Sequence, residues 1–258
     1  MTRYRARLIG NEALVADARF RTDPQSTSSD IRRLLLQVDG PWPSFQSGQY
    51  LGLLSPDDTP VFFSIASLPS ELPLIELHYA AVPGSPDVAR MDAILAASVI
   101  EFTPPAGTTG LFAVPDVASV LLAAAATGIT QALTIVRDWA RDQVAPANPQ
   151  TNTGAQQPGR PVTLCLYWGV RTTDQLYCAT LLDELAAAHS NFTWHPVVSE
   201  QPTWRGRQGL LVDALLADEH WRTADAFFIS GGPAMVQATA NRLREAGVAA
   251  DRLRSDLL

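Results

Sequence analysis

A β-barrel followed by a doubly wound α/β domain is the architecture this sequence predicts, and three observations predict it. From Thr2 to about Phe112 short β-forming runs recur between turn residues; from Pro115 apolar runs alternate with amphipathic helices; and Ser119–Ile135 reads as strand, tight turn and helix in immediate succession. The division falls at 114/115, giving residues 1–114 and 115–258 as the two domains.

The runs of the first half are TRYRARLI, ALVADARF, DIRRLLLQV, GQYLGLL, VFFSIAS, LIELHYAAV and VIEFT. Gly-Asn, Asp-Gly, Pro-Asp-Asp, Pro-Ser and Pro-Gly separate them, as expected between antiparallel strands. A small closed barrel follows. Between Asp87 and Ala97, Val88, Met91 and Leu95 repeat at helical spacing, so a short helix is expected to plug one barrel end.

In the second half SVLLAA leads into a helix from about Gln131, with Ala132, Leu133, Val136, Trp139 and Ala140 on one side. VTLCLYWG, a helix near Leu176–Ala188, FTWHPVVS, a helix near Leu210–Ala217, DAFFIS, a helix over Pro233–Ala246 and the strand DRLRS follow. The last helix has proline in its first turn, Val236, Thr239, Ala240 and Leu243 as its buried stripe, and Gly247 as its stop. Such alternation means parallel strands joined by crossover helices, here five of them. Val144–Pro161 has almost no apolar content and is expected to be a flexible surface loop without a functional role.

Composition narrows the function. The chain has 258 residues, 47% hydrophobic and 17% charged, with a formal charge of −7, and its basic residues are scattered. That excludes an electrostatic footprint for nucleic acid or an anionic membrane and leaves a small soluble ligand. Two cysteines, Cys165 and Cys178, cannot build a disulfide framework or an iron–sulfur cluster, and the four histidines show no ligand spacing, so no metal is expected. The N-terminal segment lacks an apolar stretch of signal-peptide length, and Val117–Ala126 is too short to span a bilayer. A cytoplasmic location is the expectation.

An open parallel sheet binds ligands beyond the carboxyl ends of its strands. Those ends collect Ala126-Thr127-Gly128, Gly169-Val170-Arg171, Ser199-Glu200-Gln201, Ser230-Gly231-Gly232 and the segment Ser255–Leu258. The turn after the first strand also meets a helix whose early N–H groups lack internal partners, which suits a phosphate. No G-x-G-x-x-G is present.

FQSGQYL and FFSIAS in the barrel half, with ATGIT, LYWGVR and ISGGPAMV in the α/β half, resemble the ferredoxin-NADP reductase superfamily over nearly the whole chain. LIELHYA, LYWGVRTTDQLY, PVVSEQPTWRGRQG and the final SD are most similar to its NAD(P)H:flavin oxidoreductase branch, without a ferredoxin-like extension. The resemblance implies a barrel that binds FAD or FMN, an α/β domain that binds NAD(P)H, and hydride transfer between them at the interface. It implies Ser64 as the catalytic residue, its hydroxyl near flavin N5, with Phe62, Phe63, Ile65, Ala66, Ser67 and Tyr79 completing the flavin site. Barrel core is the other reading of Tyr79. For the nucleotide it implies Thr127, Gly128, Ile129, Arg171, Gly231, Gly232, Pro233 and Met235. Trp168, Trp194 and Trp204 read as packing.

Several positions depart from the family pattern. Val61 stands where many members carry the arginine of R-x-Y-S, Ala125 and Ala126 replace the two leading glycines of G-G-T-G-x-x-P, and Gln131 replaces its proline. Leu258 stands in place of a terminal aromatic, so an open flavin face is expected. These losses favour a reductase that treats flavin as a loosely held substrate, passing it to a flavin-consuming monooxygenase. Two other readings stay open: a degenerate, non-catalytic partner or regulatory subunit, and an FAD-containing electron-transfer reductase for a separate protein.

Overall fold

The computed structural model describes all residues except 1, 24, 26–28, 41, 43, 82–85 and 145–161. The expected loop over Val144–Pro161 therefore lies, beyond the backbone of Val144, outside the described residues.

Six strands form the first sheet: β1 (Tyr4–Ala13), β2 (Ile31–Asp39), β3 (Tyr50–Leu54), β4 (Pro60–Ser64), β5 (Leu74–Ala80) and, after helix α1 (Pro86–Leu95), β6 (Ile100–Phe102). They are antiparallel in the order β4-β3-β6-β1-β2-β5. A bridge between Ile65 and Leu77 joins the two edge strands and closes the barrel. Alternation on β2 sends Leu34, Leu36 and Val38 inward, where they meet Leu51, Leu53, Ile75, Leu77 and Phe102. Met91 and Ile94 of α1 are buried in this same cluster, with Val88 and Leu95 packed against it, so the helix covers the barrel core as its spacing indicated.

One expected strand is absent. ALVADARF forms no strand beyond Ala13, Leu14 adding only one bond from its N–H to the Ile31 carbonyl at 2.8 Å, because β1 runs unbroken through Gly10-Asn11 and absorbs the irregularity as a register shift between Leu8 and Gly10. The residues after it cross to the other half instead. Phe20 packs on Trp204 with ring centroids 6.3 Å apart, and Thr22 bonds the Asp174 carboxylate through both N–H and hydroxyl at 2.8 Å.

The second half contains β7 (Ser119–Ala125), α2 (Ile129–Val144), β8 (Thr163–Val170), α3 (Ala179–Ala188), β9 (Phe192–Val198) and β10 (Arg207–Gln208). It continues with α4 (Leu211–Ala217), α5 (His220–Thr223), β11 (Ala226–Ser230), α6 (Pro233–Glu245) and β12 (Leu253–Arg254). The sheet is parallel throughout, in the order β10-β9-β8-β7-β11-β12. Six strands stand where five were expected: β10 is two residues long between Gly206 and Gly209, too short to show a period. The four-residue α5 escaped for the same reason.

Both faces of this sheet are covered, which is why its strands are continuously apolar. Val120, Leu122 and Ala124 of β7 meet α2 and α3, whereas Leu121 and Ala123 meet the cluster formed with α4, α5 and α6. The chain winds outward from β7 to β10 and then returns to place β11 on the other side of β7. A crevice opens at such a reversal, so the carboxyl ends of β7 and β11 mark the place for a ligand. No helix among the described residues is long and apolar enough to cross a membrane.

Candidate functional site

The turn at Ala126–Gly128 leaves β7, and the Ser230-Gly231-Gly232 turn leaves β11 beside it. Gly128 is required by this closeness: a Cβ there would lie 2.6 Å from the Ser230 carbonyl and 2.7 Å from the Gly231 nitrogen. The Ser230 hydroxyl donates to the Gly128 carbonyl at 2.9 Å and ties the turns together. Gly231, at φ 147°, passes over Ala125, while nothing lies within 4 Å of where a Cβ on Gly232 would be. Open space therefore meets bare backbone at the switch point.

The two alanines at the family's glycine positions differ. Ala125 is extended, but Ala126 has φ 49°, in the left-handed region that costs an L-residue with a side chain about 1–2 kcal/mol. Trp168 holds it there, its indole N–H donating to the Ala126 carbonyl at 3.0 Å. Beyond it, Thr127 is half-buried and its hydroxyl has no partner among the described residues. Ile129 is fully buried, with its N–H already given to the carbonyls of Ala126 and Thr127, so it backs the turn without lining the crevice.

Arg171, at the end of β8, is exposed and forms no ion pair among the described residues. Its backbone is held on both sides, the N–H by the Gln175 amide oxygen at 3.0 Å and the carbonyl by the Glu200 N–H at 2.8 Å. A free guanidinium on a fixed backbone can fork onto a phosphate or ribose. Gly232 and Pro233 are exposed at the start of α6, and half-buried Met235 packs on the β11 side of the core with its sulfur accepting from the Thr239 hydroxyl at 3.2 Å.

On the barrel side the expected flavin residues divide into two groups. Val61 and Phe63 share a face with Leu51 and Leu53 across the β3–β4 register and pack into the barrel core, Val61 with only 8% exposure. Phe62 points the other way at 60% exposure, over Gly52 and edge-on to Tyr50 at 5.6 Å. Ser64 is half-buried at the strand end and its hydroxyl is unengaged among the described residues.

Ile65, Ala66 and Ser67 are buried, and each already has a polar group engaged. Ile65 N–H donates to Gln49, Ala66 N–H to Glu76, and the Ser67 hydroxyl accepts the Glu76 N–H at 3.1 Å. Tyr79 is 7% exposed in the barrel core, edge-on to Phe63, and its hydroxyl has no hydrogen-bond partner among the described residues. Burial pushes that hydroxyl's pKa up, with Asp92 and Asp87 of α1 adding to it. The barrel-core alternative for Tyr79 is thus the one its surroundings match.

The two halves meet through α2. Arg137 donates to the Ala66 carbonyl at 3.0 Å and pairs with Glu71 at 2.8 Å, and the Ser47 hydroxyl donates to Asp138 at 2.8 Å. Gln131 gives its amide N–H groups to the Gly48 carbonyl at 2.6 Å and to Asp256 at 3.0 Å. Asp256 also accepts the Thr108 N–H at 2.8 Å. A proline at position 131 would delete both side-chain bonds, so this departure has become an interdomain clamp.

Next to it, β5 packs against the 126–128 turn. His78 is buried and its Nδ1 lies 3.1 Å from the Tyr177 hydroxyl, its Nε2 2.9 Å from Glu76, which is itself 2.9 Å from Arg33. Burial pushes the Glu76 carboxyl pKa up, but hydrogen bonding and charge from His78, with the Arg33 cation, outweigh it and hold the carboxyl below its usual range. Tyr177, enclosed and edge-on to Trp168, is raised well above the ordinary phenol value by burial first. The contacts that Gln131, Arg137, Asp256 and His78 make across the halves carry no sequence signal, since each depends on which residues the two halves bring together.

The chain has recognisable relatives. Residues 122–241 match the oxidoreductase NAD-binding domain family. The chain is 31% identical over 192 residues to the NAD(P)H-flavin reductase of Aliivibrio fischeri, covering 72% of this chain and 74% of that one. It is 29% identical over 238 residues to the ferredoxin–NAD(P)(+) reductase component of a naphthalene 1,2-dioxygenase system from Pseudomonas putida, covering 90% of this chain and 66% of that one. It spans less than two thirds of the length of this and two further oxygenase or demethylase reductase components. Among solved structures, the Amycolatopsis cytochrome P450 reductase superposes with a TM-score of 0.75 at 27% identity, covering 98% of this chain and 68% of that one.

Proposed function

Because this chain belongs to the ferredoxin-NADP reductase superfamily, which includes flavin reductases and reductase components of oxygenase systems, we propose that it is an NAD(P)H-dependent oxidoreductase that reduces FMN, FAD or riboflavin. The observation that carries this reading is the unengaged Ser64 hydroxyl at the end of β4. It lies one residue before the Ile65–Leu77 bridge to β5, the strand that packs on the nucleotide-side turn.

Both cofactors fit what the residues offer. On the α/β side, the bare Cα of Gly232, the free Thr127 hydroxyl and the unpaired Arg171 suit a nicotinamide dinucleotide, with Gly128 and Gly231 keeping the two turns in register. On the barrel side, Ser64 is a free donor and Phe62 an exposed apolar face. Val61, packed into the barrel core where the family pattern has arginine, offers a flavin phosphate no cation, which supports weak retention.

When bound, the nicotinamide supplies a hydride and the flavin accepts it. Ser64 would donate a hydrogen bond to the flavin ring edge at N5, and the chain's remaining work is orientation and exclusion of water. Arg137, Gln131 and Ser47 hold the two half-sites in one geometry. The match to oxygenase-system reductases over 90% of the chain supports a second reading, electron delivery to a separate protein.

One experiment divides these readings. The purified chain is assayed for NADH and NADPH oxidation with and without added flavin, and its absorbance is read after gel filtration. Oxidation only on addition of flavin is the expected result. Stoichiometric flavin surviving gel filtration would favour the electron-delivery reading. Folded protein with no oxidation under any combination would sink the enzymatic proposal and leave the non-catalytic partner.

A further inference from the structure

At the end of the α/β sheet opposite the crevice, three donors from separate elements converge. Cys165 is the third residue of β8, His195 lies on β9, and His220 opens α5. In the β8–β9 register Cys165 stands opposite Thr193 and Tyr167 opposite His195, so Cys165 and His195 are diagonal neighbours on one face. α5 then lays the His220 ring parallel to His195, with centroids 5.7 Å apart and planes 14° from coplanar. The Cys165 sulfur and one ring nitrogen from each histidine all lie within 4.8 Å of one another. His195 Nε2 is buried without a hydrogen-bond partner among the described residues.

We propose that Cys165, His195 and His220 form a binding site for Zn²⁺ or a similar borderline-soft divalent cation. One thiolate and two imidazoles are the donor chemistry zinc selects, and three protein ligands leave a fourth position for water. A tetrahedral ion with Zn–S near 2.3 Å and Zn–N near 2.0–2.1 Å separates its donors by roughly 3.3–3.6 Å. The cluster therefore tightens by at most about 1.5 Å to reach that geometry, and His220, exposed on a single helical turn, is the ligand free to swing. Asp218, two residues before it, adds a carboxylate fixed by the Tyr167 hydroxyl at 2.7 Å and by Arg207 at 2.7 and 2.9 Å.

Cys165 precedes Val170, the last residue of β8, by five positions and His195 precedes Val198, the last of β9, by three, so the site lies roughly 10–16 Å from the crevice at the rise of a strand. Its ion would brace β8, β9 and α5 without touching the reaction. Sequence spacing gives no ligand motif here because each donor comes from a different element.

The test uses the full, untagged, reduced and chelator-stripped chain titrated with Co²⁺ and then Zn²⁺. One equivalent of Co²⁺ with a thiolate-to-metal charge-transfer band, displaced by Zn²⁺, is the expected result, together with a higher Tm in Zn²⁺. His220→Gln, an exposed change that leaves the core intact, should weaken binding at least tenfold, and Cys165→Ser should abolish the band. Folded wild-type protein showing no saturable binding at micromolar metal, a Co²⁺ spectrum without the thiolate band, or undiminished affinity in His220→Gln each overturns the site, whether or not Cys165→Ser folds.

Discussion

At the residue scale, Ser64 has the most to lose. A neutral hydrogen bond is worth about 0.5–1.5 kcal/mol, so Ser64→Ala should slow flavin-dependent NAD(P)H oxidation roughly 2- to 13-fold. Nicotinamide KM should stay unchanged, because Ser64 belongs to the barrel side; a KM effect with kcat preserved would assign it to nucleotide binding. The turn residues make a sharper pair. Gly128→Ala drives a Cβ into the Ser230 carbonyl at 2.6 Å and should destabilise the fold by about 1–3 kcal/mol, whereas Ala126→Gly relieves φ 49° and should stabilise it by about 0.5–1 kcal/mol. Urea midpoints at constant m-value measure both, and equal effects of the same sign would refute the assignment. The sequence identified Gly128 and flagged Ala126, because glycine usage reports backbone conformation directly. It did not resolve which of Val61, Phe62 and Phe63 face outward, since an apolar triplet carries no alternation to read.

At the element scale, α2 was legible as a helix from its apolar stripe, while its role as the clamp between halves was not. The stripe of Ala132, Leu133, Val136, Trp139 and Ala140 faces the sheet core, and the polar residues around it, which periodicity treats as solvated, are the ones that reach the barrel. Gln131→Ala removes the bonds to Gly48 and Asp256 and should cost about 1–2 kcal/mol of stability, read as a shift in urea midpoint. Within the barrel, Glu76 links β5 to β2 through Arg33 and to Tyr177 through His78. Its folded pKa lies below its unfolded value, so its contribution is present above the ordinary carboxylate pKa and is lost as pH falls through the folded value. Glu76→Gln should therefore flatten the acid limb of the stability profile below about pH 4.5, the ordinary glutamate value; an unchanged limb would show that other carboxylates control it.

At the scale of the whole molecule, the change from antiparallel barrel to parallel sheet was readable because short β-forming runs between turn residues give way to strand–helix alternation near Pro115. The way the halves sit together was not, because it rests on long-range pairs such as His78–Tyr177, Gln131–Gly48, Thr22–Asp174 and Arg137–Ala66. Those pairs tie four separate segments of the barrel half, before β2, between β2 and β3, after β4 and on β5, to the α/β half. Interfaces between domains of one chain ordinarily permit independent motion unless they are extensive, so the number and spread of these contacts lead to a definite expectation. The most protected amides of β2 in the barrel and β8 in the α/β sheet should exchange with the same opening free energy, both at the global value. Combined Gln131→Ala and Arg137→Ala should separate them, lowering protection in one half before the other. If β2 and β8 already differ by more than about 1 kcal/mol in the wild-type chain, the halves open independently, and the proposed site that joins Ser64 to the β7 turn must be assembled by its ligands instead of being held ready for them.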